Sequence, residues 1–179
     1  PTKLTAGGDF VELTGGGTLT GNATVPLLKF DKAEVTVGAH SAENHLFRLT
    51  GSTSKASLAG PLVSGLDTKF TIKGSAALEV VNSGKLESTT TSPFVDITGG
   101  SLTLGSNVHG LFMNSSAVLD IKGSLFKVKD TTVTAGSGVP FAKIAGASSV
   151  TTGGSLLDLT NVNLDLGDPT VAGTDQPLI

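Results

Sequence analysis

The stretch SPFVDITGGSLTLG at residues 92–105 decides the fold of this chain. Its first half, FVDI at residues 94–97, alternates apolar and polar side chains, and SLTL at residues 101–104 does so again after a Gly-Gly pair. Alternation with a period of two places successive side chains on opposite faces of a β-strand. The stretch therefore predicts two short strands separated by a glycine bend.

The four-residue unit, with the pattern apolar-apolar-polar-apolar, recurs along the chain. From residue 94 onward it starts at residues 94, 111, 125, 141 and 156, in steps of 17, 14, 16 and 15 residues, and earlier copies start at residues 27 and 46. A second alternating element lies between the copies. Such recurrence, position by position, is typical of a solenoid, in which equivalent residues of successive rungs stack about 4.8 Å apart.

We therefore expect an all-β fold, a single-stranded parallel β-helix (β-solenoid) that is right-handed, with rungs of about 14–20 residues. Residues 1–179 are expected to form one solenoid domain. The dipeptides Asn-Gly and Asp-Gly, which favour tight hairpins, do not occur. No window shows an apolar stripe at helical spacing. A β-sandwich or a meander is the alternative fold.

The third position of the four-residue unit identifies the solvent face. We expect that position to face outward and the second and fourth positions to face inward. The predicted outward residues are Lys29, Arg48, Asp96, Met113, Lys127, Lys143 and Asp158. The predicted interior residues are Leu28, Phe30, Phe47, Leu49, Val95, Ile97, Leu102, Leu104, Leu119, Ile121, Phe126, Val128, Val133, Ala142, Ile144, Leu157, Leu159, Leu164 and Leu166. The first position is expected to lie at a corner, beneath the adjacent loop.

Composition excludes several classes of function. The net charge is −3 with a single arginine, Arg48, which argues against nucleic acid as a partner. The absence of cysteine excludes disulfides and thiolate metal sites. No apolar run approaches the ~20 residues of a membrane span. The chain starts at Pro1 without a leader and stops on apolar residues, so we expect a processed or excised segment of a longer exported protein.

One loop has the spacing of a possible metal site. His40 and His45 flank Glu43, but a solvated polar loop is the ordinary interpretation of such a segment. We therefore expect no metal ligand and no cofactor.

A catalytic site is not expected either. The outward Asp96 and Asp158 are separated by lysine-bearing copies of the unit, and Asp120 and Asp165 fall on non-adjacent rungs of the second element. Carboxylates on successive rungs, which an acidic-polysaccharide enzyme would use, are thus not predicted. His109 has no aspartate at a spacing that indicates a hydrolytic triad.

Threonines and glycosylation sequons were weighed in the same way. The stretches Thr18-Leu19-Thr20 and Thr132-Val133-Thr134 have the spacing of ice-binding solenoids, yet we expect no uniform threonine face and attribute the threonines to strand propensity. The sequons begin at Asn22 and Asn114. We interpret Asn114 as an internal or corner polar group.

Residues 92–167 resemble the rungs of bacterial secreted β-helix proteins, such as filamentous haemagglutinin-like adhesins and autotransporter passengers. The similarity rests on residues 92–105 and on GSLLDLTNVNLDL at residues 154–166. The resemblance implies an extracellular or cell-surface location and a structural or adhesive function without catalysis. The expected partners are further copies of the chain or a cell-surface or polysaccharide ligand. A carbohydrate-active β-helix module is the alternative.

Overall fold

The computed structural model describes residues 1–38, 43–136 and 138–166, and in these ranges the chain is all-β, with no helix. The strands are β1 (Thr2–Ala6), β2 (Val11–Leu13), β3 (Thr18–Gly21), β4 (Leu28–Asp31), β5 (Ala33–Val37), β6 (His45–Thr50), β7 (Lys55–Leu58), β8 (Val63–Ile72), β9 (Ala76–Val81), β10 (Lys85–Ser88), β11 (Val95–Leu104), β12 (His109–Asn114), β13 (Val118–Ile121), β14 (Phe126–Lys129), β15 (Thr132–Ala135), β16 (Ala142–Ile144), β17 (Ser149–Thr152), β18 (Leu157–Thr160) and β19 (Asn163–Asp165). Nothing in this part of the chain forms a helix that could cross a membrane.

The strands form three sheets that the chain visits in turn. Sheet A contains β1, β4, β5, β8, β11, β14, β15, β18 and β19, sheet B contains β2, β6, β9, β12 and β16, and sheet C contains β3, β7, β10, β13 and β17. Strands from successive turns pair in parallel. The chain is therefore a β-solenoid of about five turns, as predicted, and the parallel pairing excludes a sandwich or a meander.

The length of one turn differs from the predicted rung of about 14–20 residues. Val95 pairs with Phe126 and Phe126 with Leu157, so successive turns are offset by 31 residues. The units that start at residues 94, 125 and 156 belong to sheet A, whereas those at 111 and 141 belong to sheet B. Each turn therefore contains two copies of the unit on different sides of the solenoid.

One continuous apolar interior fills the stack. Most of the residues predicted to face inward are buried, namely Phe47, Leu49, Val95, Ile97, Leu102, Leu104, Leu119, Ile121, Phe126, Val128, Val133 and Ala142. Three of them, Ile144, Leu159 and Leu164, are instead 37–39% exposed. They lie on β16, β18 and β19, each of which has a paired strand on one side only among the described residues. Burial in a solenoid needs a neighbouring turn on both sides.

Corner residues at the first position of the unit are also buried in most turns, as predicted. Phe94, Leu111 and Leu125 are fully buried, and Phe141 is 7% exposed. Leu27, in the first copy, is the exception at 39% exposure.

Met113 contradicts the predicted solvent face, because it is fully buried. The backbone N–H groups of Gly110 and Leu111 both donate to the carbonyl of Phe141, at 2.7 and 3.0 Å. This doubling is typical of a β-bulge, which shifts the alternation by one residue. Leu111 and Met113 consequently face the interior, and Phe112 takes the outward position.

A single left-handed residue in each turn bends sheet A. The φ angles are 49° at Lys32, 48° at Asp67, 71° at Gly99, 50° at Asp130 and 52° at Asn161. Glycine, aspartate and asparagine tolerate this conformation better than most residues do. The Gly-Gly pair of residues 99–100 therefore makes a bend within a long strand, as the sequence suggested, and four other turns make the same bend with polar residues.

Gly110 is required by the size of its neighbour on the next turn. A Cβ at this position would overlap the ring of Phe141, which packs edge-on against Phe126 at 5.3 Å between ring centroids. We expect Gly110→Ala to lower the free energy of unfolding by about 1–3 kcal/mol, the usual cost of overpacking. Denaturant unfolding measures this cost, and the added change Phe141→Leu should recover part of it. Equal losses in the single and double variants would contradict this packing.

Ser88 is the one inward hydroxyl of β10. It is 2% exposed, lies in register between Leu58 and Ile121, and its Oγ atom has no hydrogen-bond partner. Ser88→Ala is expected to raise the free energy of unfolding by about 1 kcal/mol, because an unsatisfied buried hydroxyl is removed. Ser57→Ala, on the outward face of the same sheet, is the control in a denaturant melt and should change stability by less than about 0.5 kcal/mol. A less stable Ser88→Ala variant would contradict the prediction.

Candidate functional site

The outer face of sheet B carries a column of alternating charges. Glu12 on β2, Arg48 on β6 and Glu79 on β9 are in register on three successive turns. Arg48 Nε donates to Glu79 Oε1 at 2.9 Å, and Arg48 Nη1 donates to Glu12 Oε1 at 3.2 Å. The only arginine of the chain therefore joins three turns through charge-assisted hydrogen bonds.

His45 forms the buried centre of this charged face. Its Nδ1 atom lies 2.8 Å from Asp9 Oδ1, which also accepts the backbone N–H of His45 at 2.7 Å. Its Nε2 atom lies 3.0 Å from Glu79 Oε2, at ion-pair distance but without the alignment of a hydrogen bond. The side chains of His45, Asp9 and Glu79 are 1%, 10% and 8% exposed. The imidazole is thus enclosed between two carboxylates.

The two carboxylates determine the protonation state of this centre. Burial by itself would lower the pKa of His45, but Glu79 and Asp9 outweigh it and raise the pKa above its ordinary value of 6.5. Burial would likewise raise the pKa of Glu79, yet His45 and Arg48 lower it below 4.5. We therefore describe His45 as an imidazolium and Glu79 as a carboxylate at neutral pH.

A shallow depression of about 280 Å³ adjoins this centre, and we refer to it as the sheet B basin. Its lining includes Glu43, Arg48, Glu79, Asn82, Phe112 and Asn114. The half-buried ring of Phe112 stacks on His109 at 5.3 Å between centroids, and Lys143 Nζ lies 5.7 Å from the Phe112 centroid. The basin therefore combines acidic, basic, amide and aromatic groups on one solvent-facing surface.

The proposed metal-site loop is separated by the fold. His40 lies outside the described residues, Glu43 lines the basin, and His45 is buried against Asp9 and Glu79. Within residues 1–38, 43–136 and 138–166, no group of three His, Asp or Glu side chains is arranged to hold a metal ion.

The predicted spacing of the carboxylates is partly wrong. Asp96 and Asp158 are separated by Lys127 in one column of sheet A, as expected. Asp120, however, is in register with Glu87 on the neighbouring turn of sheet C, so two carboxylates do stand on successive turns. The prediction failed because it assumed a repeat of 14–17 residues instead of 31.

Lysines neutralise these two neighbouring carboxylates. Glu87 contacts Lys55 at 2.7 Å and Lys85 at 2.6 Å, and Asp120 contacts Lys122 at 3.0 Å. A hydrogen bond from Lys55, with a second from Lys85, lowers the pKa of Glu87. Asp165 lies elsewhere, beside Thr134 in sheet A. The arrangement therefore holds ionised, paired carboxylates rather than a proton-sharing pair.

The threonines also stack differently from the prediction. Five of them form one in-register column on the outer face of sheet A, namely Thr5, Thr36, Thr71, Thr103 and Thr134. The column beside it is mixed and contains Lys3, Glu34, Lys69, Ser101 and Thr132. Thr18 and Thr20 lie in sheet C, beside Lys55 and Ser57. A uniform column exists where none was expected, but it is a single column flanked by charges.

The remaining candidates have local partners. His109 Nδ1 donates to the carbonyl of Pro140 at 2.7 Å, and burial lowers the pKa of His109. Asn114 Oδ1 accepts the N–H of Ser115 at 2.8 Å, so Asn114 is a corner residue as predicted. Asn22 is exposed in the segment between β3 and β4.

The charged centre itself was missed by sequence reasoning. Asp9, Glu12 and Glu79 stand in segments without a recognisable motif, and they meet His45 and Arg48 across 31 to 36 residues of chain. Their only signal would have been the correct turn length. Comparison with protein-family models, with curated proteins and with solved structures finds no match to this chain. The resemblance to secreted β-helix surface proteins therefore stays a prediction.

Proposed function

We propose that this chain is a non-enzymatic structural or adhesive β-solenoid, located outside the cell or at a bacterial cell surface. The observation that carries the proposal is the pairing of outward charges across successive turns. Lys3 with Glu34 at 3.3 Å and Lys55 with Glu87 at 2.7 Å are examples from sheets A and C. Such cross-turn pairs stabilise the stack and leave long, flat outer faces for contact with other surfaces.

The closed charged centre supports the same proposal. General acid or base catalysis needs a titratable group within hydrogen-bond reach of a substrate. His45 is 1% exposed and both of its ring nitrogens face carboxylates. Its geometry therefore suits a structural ion-pair cluster that ties the first three turns together. The absence of cysteine and the resemblance of residues 92–167 to exported surface proteins favour the location.

Sedimentation tests the proposal directly. Sedimentation velocity over increasing protein concentration reports self-association, and co-sedimentation with bacterial cells, cellulose or chitin particles reports adhesion. We expect at least one of these interactions. A strictly monomeric chain that pellets with none of the particles would contradict the proposal.

A parallel assay for released reducing ends tests the carbohydrate-active alternative on acidic and neutral polysaccharides. Turnover that disappears on replacing Asp96, Asp120, Asp158 or Glu79 would establish an enzyme and overturn the non-enzymatic proposal.

A further inference from the structure

We propose that the sheet B basin binds neutral carbohydrate, one or two sugar rings at a time. This inference rests on the adhesive function proposed above and names its ligand class. A depression in which polar groups converge beside residues of perturbed pKa is a recognised indicator of a binding site. His45, Arg48 and Glu79 are such residues, and all three line the basin.

The lining has the hydrogen-bonding capacity that sugar hydroxyls require. The carboxylates of Glu43 and Glu79 accept hydrogen bonds, the guanidinium of Arg48 donates them, and the amides of Asn82 and Asn114 do both. A hydroxyl group donates and accepts at once, so a polyol can satisfy all three kinds of group. The basin volume of about 280 Å³ is slightly below the range of about 300–1,000 Å³ that is typical for drug-sized ligands. This size suits a short part of a saccharide chain.

The charge around the basin favours a neutral ligand over an acidic one. Four carboxylates, from Asp9, Glu12, Glu43 and Glu79, surround two cations, the imidazolium of His45 and the guanidinium of Arg48. The surplus of two negative charges repels acidic polysaccharides. Metal cations are disfavoured too, because Glu79 already pairs with both His45 and Arg48.

The corner that follows sheet B supports a binding role. Its first left-handed residue is Gly15, Gly51, Asn82, Ser115 or Gly146 in successive turns, with φ between 54° and 108°. Glycine adopts this conformation at less cost than asparagine or serine. The third and fourth turns nevertheless carry polar side chains there, and these two side chains line the basin. Backbone strain of this kind is concentrated at functional positions.

Phe112 adds an apolar contact for the C–H groups of a sugar ring. The β-bulge at residues 110–111 turns this ring outward. The stacked ring of His109 and the nearby ammonium of Lys143 hold it in place. A side chain that is fixed before binding loses little entropy when a ligand arrives.

Titration of the whole ¹⁵N-labelled chain with defined hexasaccharides tests the inference. The probes are cellohexaose and chitohexaose, which are neutral, and hexagalacturonate, which is acidic. We expect at least one neutral sugar to shift the side-chain amide resonances of Asn82 and Asn114, and hexagalacturonate to leave them in place. Asn82→Gly, which keeps the left-handed backbone and removes the amide, should weaken binding about tenfold, the effect of one lost hydrogen bond.

Asn107→Gly is the matched control, because Asn107 also has a left-handed backbone, with φ of 62°, but lies on the corner between β11 and β12, outside the basin lining. This variant should bind as tightly as the original chain. The inference is overturned if neither neutral sugar shifts the two amides, if only hexagalacturonate does, or if Asn107→Gly weakens binding as much as Asn82→Gly. Adhesion of the unmodified chain to cells or particles, without amide shifts, would overturn the basin alone and leave the proposed function standing.

Discussion

Replacing Phe126 by alanine is expected to lower the free energy of unfolding by about 3–5 kcal/mol. The side chain is 2% exposed, and its ring packs edge-on against Phe141. Phe126 also stacks in register between Val95 and Leu157, so its loss leaves a cavity that spans three turns. Phe47→Ala should have an effect of the same size, because Phe47 is fully buried at the corresponding face of sheet B.

Lys127→Ala is the matched control for Phe126→Ala, since it alters the next residue of the same strand on the opposite face. It should change stability by less than about 0.5 kcal/mol, as should Lys143→Ala in sheet B. Denaturant melts of the four variants give the comparison. Equal effects at the phenylalanines and the lysines would mean that the assignment of inward and outward residues is wrong.

Glu79→Gln is the second change with a large expected effect, a loss of about 3–5 kcal/mol. Glu79 is the only residue that contacts His45 and Arg48 within one side chain, and it is 8% exposed. Its neutralisation leaves a buried imidazolium and a partly buried guanidinium with less compensation. Glu87→Gln in sheet C is the control, because its lysine partners are half exposed and a solvent-exposed pair contributes at most about 1 kcal/mol.

The pH dependence of stability gives an independent measurement of the same centre. The pKa of His45 is raised in the folded chain, so its contribution is complete below pH 6.5 and is lost as the pH rises through the folded value. The pKa of Glu79 is lowered, so its contribution is complete above pH 4.5 and is lost as the pH falls through the folded value. These two groups therefore stabilise the fold most between about pH 4.5 and 6.5.

Chemical denaturation at a series of pH values checks this profile. In the Glu79→Gln variant, His45 keeps one carboxylate partner instead of two, and its alkaline loss of stability should begin at a lower pH. A profile with no dependence on pH between about 5 and 9 would contradict the assignment of His45 as a buried imidazolium.

The sequence by itself determined which residues face inward and which face outward along each strand. The alternation at residues 94–97 and 125–128 correctly placed Val95, Ile97 and Phe126 in the interior and Asp96 and Lys127 on the surface. This inference is local, because the period of two is a property of the extended backbone. The absence of hairpin dipeptides likewise indicated stacking, and the structure confirms parallel pairing.

Only the tertiary structure decided how long a turn is and which side chains meet across turns. Units in sheets A and B have the same class pattern, so the repeat counted from residues was half of the true offset of 31. The column of Glu12, Arg48 and Glu79 follows from that offset, and so does the enclosure of His45. Strand register is fixed by hydrogen bonds and packing between segments that are distant in the chain. A local pattern of apolar and polar residues does not contain that information.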